Sequence, residues 1–142
     1  MYEFVCGLAG LSTCKRRAVG CALLPEDMSR VAGIGYNGPA AGEDNGGCRA
    51  EEGACGCLHA EANALIKSQG GKELIMLTTV SPCEHCAGLL INHGGVFACL
   101  YGREYRDPAG VRRLRAARVE AYPVGPFLPE EVATRLAARG FA

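Results

Sequence analysis

The chain of 142 residues has no tryptophan, no excess of charge of one sign and no long apolar run. Lys and Arg together number 15, as do Asp and Glu, so the formal net charge at pH 7 is zero. Proteins that bind polynucleotides normally carry a basic surface. The charge balance therefore favours a small substrate over a nucleic acid. One basic stretch, Arg112, Arg113 and Arg115 with Arg118, is typical of a solvated helix face.

No segment approaches the ~20 consecutive apolar residues that span a bilayer. The first residues also lack the charged start and apolar run of a signal peptide. We therefore expect a cytoplasmic protein with no membrane partner. In that compartment the nine cysteines are expected to be metal ligands or buried thiols rather than disulfides. Cys6, Cys21 and Cys99 lie in apolar stretches, and we expect all three to be small core residues.

Apolar runs and turn residues predict alternating helices and strands. This order predicts an α/β protein with a three-layer α/β/α fold, in which helices cover both faces of a five-stranded mixed sheet. A chain of this length is expected to form one domain, residues 1–142. Helices are predicted at 2–13, at 58–69, from Pro82 to Gly94, after Pro108, and from Pro129 onward with Val132, Leu136 and Phe141; strands are predicted at 19–24, 30–36, 74–79, 96–101 and 119–124.

Two short motifs carry the predicted chemistry: His59-Ala60-Glu61, and a Pro-Cys-x-x-Cys segment that contains Cys83 and Cys86. His59, Cys83 and Cys86 would give zinc three protein ligands and leave the fourth tetrahedral position open, as catalytic zinc requires. Zinc lowers the pKa of a bound water to about 7 and so provides a nucleophile at neutral pH. Glu61 is then close enough in sequence to move a proton from that water to a bound substrate.

The local sequence around the second motif predicts a helix start. We interpret Ser81 as the N-cap, Pro82 as the first helical residue and Glu84 as the third, which together form a capping box. Cys83 and Cys86 would then lie on one face of the first turn. The positive end of the helix favours their thiolate forms.

Two other interpretations of the Cys-x-x-Cys pair are possible. A redox pair would be expected beside a thioredoxin-like pattern, whereas here a His-x-Glu helix precedes it. A purely structural zinc would need a fourth protein ligand, and these two segments offer none that is obvious. We therefore favour a catalytic zinc.

Taken together, the two motifs resemble the cytidine deaminase-like superfamily of zinc-dependent deaminases. Gly35-Tyr36-Asn37-Gly38 and Asn63 are similar to the deoxycytidylate (dCMP) deaminases within it. The resemblance implies zinc ligands at His59, Cys83 and Cys86, and a proton shuttle at Glu61. For the substrate it implies a sugar contact at Asn37, backbone contacts to the cytosine edge at Ala60 and Ser81, and a pocket wall at Tyr105. Four arginines are candidates for a phosphate contact: Arg16, Arg17, Arg103 and Arg106.

A second group of cysteines lies in the Gly-rich segment that precedes His59. It consists of Cys48, Cys55 and Cys57, and Cys14 matches a position that binds structural zinc in some relatives. Four cysteines could close a tetrahedral site and order this segment. The alternative is that some of them are merely small buried residues.

The implied reaction is the hydrolytic deamination of dCMP to dUMP and ammonia. The resemblance also implies a homo-oligomer, a dimer or a hexamer, and regulation by dCTP or dTTP with Mg²⁺. One alternative is a deaminase of another base or nucleotide, such as a 5-substituted dCMP, guanine or tRNA adenosine. Another is a non-catalytic, zinc-stabilised binding module, which would not need Glu61.

Overall fold

The computed structural model describes residues 1–124, together with residues 134 and 138. The helix predicted from Pro129, with Val132, Leu136 and Phe141, falls on residues outside this description. Within residues 1–124 the helices are α1 (Tyr2–Ala9), α2 (Ala60–Ile66), α3 (Glu84–His93) and α4 (Ala109–Ala116), and the strands are β1 (Gly20–Pro25), β2 (Gly33–Tyr36), β3 (Leu74–Val80), β4 (Val96–Arg103) and β5 (Glu120–Pro123).

The five strands form one mixed sheet in the order β2-β1-β3-β4-β5. β1 pairs antiparallel with both β2 and β3, whereas β3, β4 and β5 run parallel to one another. The parallel half is built from β3-α3-β4 and β4-α4-β5 units, because parallel neighbours need a crossover connection. The predicted α/β class with a five-stranded mixed sheet is therefore confirmed.

The central strands are buried on both faces, and their side chains alternate between two apolar clusters. On β3, Leu74 and Met76 belong to the cluster beneath α2, α3 and α4, whereas Ile75 and Leu77 belong to the cluster beneath α1. This alternation follows from the two-residue period of a strand. Helices thus cover both faces of the sheet, which confirms the predicted three layers.

Helix α2 approaches strand β2 unusually closely, and a glycine permits it. A Cβ built on Gly35 would overlap the carbonyl oxygen of Ala60 and lie 2.7 Å from the backbone nitrogen of Ala64. Only a residue without a side chain leaves room for that helix backbone. This contact fixes the first turn of α2 against the sheet.

Several predicted boundaries were too wide. The first helix ends at Ala9 rather than at 13, and the second strand begins at Gly33 rather than at 30. The second helix covers Ala60–Ile66 rather than 58–69, because Leu58 is extended and pairs with Gly38 in an isolated bridge.

The prediction of a buried thiol is confirmed for Cys21 and Cys99 and wrong for Cys6, which is exposed. Helix α1 buries Val5 and Leu8, which are three residues apart on one face. Cys6, one position beyond Val5, is therefore rotated away from the core.

The basic stretch in α4 is exposed, as predicted. Within the described part of the chain, no helix combines the length and the apolar character needed to cross a membrane.

Candidate active site

The side chains of His59, Cys83 and Cys86 meet in one cluster. Their ligand atoms all lie within 4.8 Å of one another. Nδ1 of His59 is 3.5 Å from Sγ of Cys83 and 3.4 Å from Sγ of Cys86. In a tetrahedral zinc site, Zn–N and Zn–S bonds of about 2.0 and 2.3 Å place such atoms about 3.6 Å apart. The cluster therefore has the spacing and donor chemistry that fit zinc.

Both ligand-bearing segments stand at helix starts. His59 is the N-cap of α2, and its side chain makes no capping hydrogen bond. Its ring instead faces the two thiols. Cys83 is the N-cap of α3, in an extended conformation, and its Sγ accepts a hydrogen bond from the Cys86 backbone N–H at 3.5 Å.

The predicted capping box at Ser81 is wrong. The Ser81 hydroxyl accepts a hydrogen bond from the Tyr105 backbone N–H at 2.7 Å, and the Ser81 N–H donates to the Arg103 carbonyl at 2.9 Å. Ser81 therefore ties the end of β3 to the segment after β4. The chain stays extended through Cys83, and the helix begins at Glu84 with a sulfur cap.

The charges in the cluster favour a cation. A hydrogen bond from the Cys86 thiol, together with His59, lowers the pKa of Cys83 to about 3. Cys83 in turn raises the pKa of His59 by accepting a hydrogen bond from it. These contacts favour the thiolate form of Cys83, and thiolates are the form that binds metal.

Glu61 is a buried carboxylate next to this cluster. It lies in the first turn of α2 with only 5% of its surface exposed. Burial raises its pKa above the ordinary value for glutamate. Burial, and after it the charge of Glu61, also raises the pKa values of the thiols of Cys21 and Cys99. A carboxyl group whose pKa is raised towards neutrality can both accept and donate a proton.

A cavity that is partly open to solvent contains these groups. Of the residues predicted for the catalytic zinc site, His59, Cys83 and Glu61 line it. It is also lined by every predicted substrate-binding residue and by three of the four candidate arginines: Asn37, Ala60, Ser81, Tyr105, Arg16, Arg17 and Arg106. Arg103, exposed at the end of β4, is not among the lining residues.

Asn37 and Tyr105 hold parts of the cavity wall in place. The Asn37 side chain accepts a hydrogen bond from the Val19 N–H at 2.8 Å and donates one to the Arg17 carbonyl at 2.5 Å. Since its amide nitrogen carries two hydrogens, one remains for a ligand. Arg17 and Arg106 lie over the Tyr105 ring, with guanidinium carbons 5.0 and 5.6 Å from its centroid, a distance at which a cation is attracted to the ring.

The second cysteine group also comes together. The sulfur atoms of Cys14, Cys48, Cys55 and Cys57 lie within 4.8 Å of one another, with 3.9 Å between Cys14 and Cys48. Tetrahedral zinc with four sulfur ligands would place them about 3.8 Å apart. Backbone N–H groups of Lys15 and Ala50 each donate to Sγ of Cys48 at 3.4 Å and lower its pKa to about 6. This set therefore fits a structural zinc. Since Cys55 and Cys57 also line the cavity, it borders the first cluster.

Sequence reasoning missed Glu52. This acidic residue lies between Cys48 and Cys55 and forms an ion pair with Arg106. The only signal in the sequence was an acidic residue inside a cysteine-bounded loop, and nothing there indicated that Arg106, 54 positions away, would meet it.

Comparison with known proteins places this site in context. Residues 2–102 match the family described as the cytidine and deoxycytidylate deaminase zinc-binding region. The deoxycytidylate deaminase of Saccharomyces cerevisiae is 33% identical over 69% of this chain, and that of Schizosaccharomyces pombe is 34% identical over 77%. The crystal structure of the dCMP deaminase of cyanophage S-TIM5, in complex with dCMP and dUMP, matches with a TM-score of 0.77 and 28% identity, covering 87% of this chain and 93% of that one.

The matched regions differ in extent among these relatives. The chain aligns with 35% and 38% of the two yeast proteins, but with nearly the whole of the phage structure.

Proposed function

Since the chain belongs to the family of cytidine and deoxycytidylate deaminases, we propose that it catalyses the hydrolytic deamination of dCMP to dUMP and ammonia. One observation carries this proposal. A three-ligand His-Cys-Cys cluster, a buried carboxylate and three arginines converge on one cavity. The cluster and the carboxylate are the groups that deamination needs, and the arginines are suited to a nucleotide phosphate.

In the proposed reaction His59, Cys83 and Cys86 hold zinc, which supplies a nucleophilic water at neutral pH by lowering its pKa. Glu61 accepts a proton from the attacking water and delivers it to the ring nitrogen of the base. It then accepts the second proton of that water, from the hydroxyl that the attack leaves on the base, and passes it to the amino group, so that ammonia leaves as the C–N bond breaks and the carbonyl of dUMP forms. Its burial keeps bulk water away from the carboxylate, and its raised pKa suits both transfers.

The proposed substrate contacts follow the cavity wall. The backbone at Ala60 and Ser81 meets the edge of the cytosine, Asn37 binds the sugar and Tyr105 closes one side. Because Arg16, Arg17 and Arg106 line the cavity and Arg103 does not, the first three are preferred for the 5′-phosphate. Guanidinium groups suit phosphate because they offer paired N–H donors and a permanent charge.

The four-cysteine cluster is proposed as a structural zinc site. Its donor set and its 3.9 Å sulfur spacing support this assignment. Such an ion would order the Gly-rich segment that leads into His59, because it would join Cys48, Cys55 and Cys57 to Cys14.

Further properties remain predictions. One domain is predicted from the chain length, a cytoplasmic location from the lack of membrane and signal segments in the sequence, and a homo-oligomer regulated by dCTP or dTTP with Mg²⁺ from the family resemblance. Sedimentation of the purified protein tests the oligomer. Sigmoidal dCMP kinetics that dCTP makes hyperbolic would support regulation, and hyperbolic kinetics unaffected by either triphosphate would contradict it.

The test of the proposed function is ammonia release by the zinc-loaded protein over a panel of substrates. The panel contains dCMP, CMP, deoxycytidine, dCTP, 5-methyl-dCMP, 5-hydroxymethyl-dCMP, guanine and a tRNA anticodon stem. A clear preference for dCMP is expected. A preference for a 5-substituted dCMP would keep the mechanism and change the substrate. No activity across the panel would contradict the proposal and favour a binding role.

A further inference from the structure

An exposed carboxylate contacts two of the arginines that line the cavity. Glu52 forms an ion pair with Arg106, and its carboxylate lies 3.8 Å from Nη2 of Arg16. Both arginines line the cavity. Glu52 lies in the segment between Cys48 and Cys55, so a residue of the four-cysteine cluster stands on each side of it in the sequence.

The ion pair between Glu52 and Arg106 is expected to contribute little to the stability of the fold. The side chains of Glu52 and Arg106 are 59% and 52% exposed, and ion pairs between exposed side chains contribute little to stability. The same paired N–H donors of an arginine that bind a carboxylate also bind a phosphate. Glu52 therefore occupies donors of Arg106 that a nucleotide phosphate would use.

We propose that Glu52 is an internal competitor for the phosphate subsite, which holds Arg106 in the free protein and is displaced by the phosphate of the nucleotide. This inference rests on the proposed function in that it takes the ligand to be a nucleoside monophosphate. A phosphate dianion can displace the carboxylate because it carries about twice the charge. Glu52 thereby lowers the affinity for phosphorylated ligands without contacting the base or the sugar.

The test compares Glu52→Gln with Glu51→Gln in the zinc-loaded full chain. Glu51 is the neighbouring exposed residue and is not the partner of Arg16 or Arg106 in these ion pairs, so both variants change the net charge equally. Calorimetry would measure the binding of dUMP, deoxyuridine and inorganic phosphate. We expect E52Q to bind dUMP and phosphate about three- to fivefold more tightly than wild type, the size expected for an exposed ion pair. Its affinity for deoxyuridine should change less than about twofold, because deoxyuridine has no phosphate. Every affinity of E51Q should also change less than about twofold, because Glu51 is not the partner of Arg16 or Arg106 in these ion pairs.

Equal phosphate affinity in E52Q and wild type would overturn the proposal. Weaker binding would also overturn it, since Glu52 would then position Arg106 rather than compete for it. If neither wild type nor E52Q binds dUMP or inorganic phosphate, the proposed phosphate subsite does not exist and the proposal is wrong. Ammonia release from dCMP judges the proposed function separately. A protein without dCMP turnover but with tighter phosphate binding in E52Q would refute that function and leave this inference standing.

Discussion

Among single residues, Glu61 separates a deaminase from a zinc-binding module. We expect Glu61→Gln to lower turnover of dCMP by about 10²–10⁴-fold, because the amide cannot accept and return a proton. Zinc content should be unchanged, since the three metal ligands remain in place. Steady-state kinetics and elemental analysis of the purified variant would measure the two effects.

Glu84→Gln is the matched control for this substitution. Glu84 follows the ligand Cys83 but is exposed at the start of α3, so turnover should stay close to that of wild type. Turnover by Glu61→Gln within about tenfold of wild type would contradict the proton-shuttle role.

Cys48 is the residue that tests the second metal site. We expect Cys48→Ser to reduce the zinc content from two ions per chain to one, because a hydroxyl is a poor substitute for a thiolate ligand. The three-ligand site should keep its ion. Cys6→Ser, at an exposed thiol outside both clusters, should leave two ions. A single zinc per chain in the wild-type protein would contradict the structural site.

At the scale of elements, the contact between α2 and β2 sets the position of His59 and of the proposed proton shuttle Glu61. We expect Gly35→Ala to lower the free energy of unfolding by about 1–3 kcal/mol, because the added methyl overlaps the backbone of α2 at Ala60. Turnover should fall as well, since His59 and Glu61 stand at the start of that helix. Thermal unfolding and kinetics of the zinc-loaded variant would measure both.

Gly7→Ala provides the control for this change. Gly7 lies inside α1, and a Cβ built there has no atom within 4 Å. Alanine should be neutral or stabilise the protein by up to about 1 kcal/mol through its higher helix propensity. A Gly35→Ala protein as stable and active as wild type would show that α2 can move without affecting the site.

The strands and helix α3 show which parts of the fold could be predicted from the sequence. The strands could be predicted because buried central strands alternate between two apolar clusters, as Leu74 to Leu77 do. The approach of Cys83 to Cys86 could be predicted because a spacing of three residues brings both side chains to one side of a helix start. The start of α3 could not be predicted, because the Ser81 hydroxyl accepts a hydrogen bond from the Tyr105 N–H instead of capping the helix. That partner is brought close by the parallel pairing of β3 with β4, which no local pattern shows.

The arginines that line the cavity also could not be identified from the sequence. Four were equivalent candidates in the sequence, and only the folded chain separates Arg16, Arg17 and Arg106 from Arg103. Their convergence depends on Tyr105 and on the loop that carries Glu52. Apart from the contact of Arg106 with the neighbouring Tyr105, these contacts join segments far apart in the chain, so periodicity and motif spacing contain no information about them.

At the scale of the whole molecule, metal binding and stability should be linked. We expect a strong chelator to abolish turnover and to lower the unfolding temperature, because an ion that binds the folded state preferentially stabilises it. Lowering the pH should likewise reduce turnover and the unfolding temperature, since protons compete with the metal for Cys and His ligands. Calorimetric unfolding before and after chelation, with zinc added back, would measure the effect. An unchanged unfolding temperature in a protein shown to have lost its zinc would contradict the linkage.

The two clusters join residues that are distant along the chain, 34 positions apart for Cys14 and Cys48 and 24 for His59 and Cys83. The first interval contains β1 and β2, and the second contains α2 and β3. With ions bound, each interval is a closed loop, and closing loops of this length reduces the entropy of an unfolded chain by an amount worth about 3–4 kcal/mol on disulfide estimates. Three of the five strands would then be unable to open independently of a metal site, so their amide hydrogens should exchange with solvent at a rate set by release of the ions.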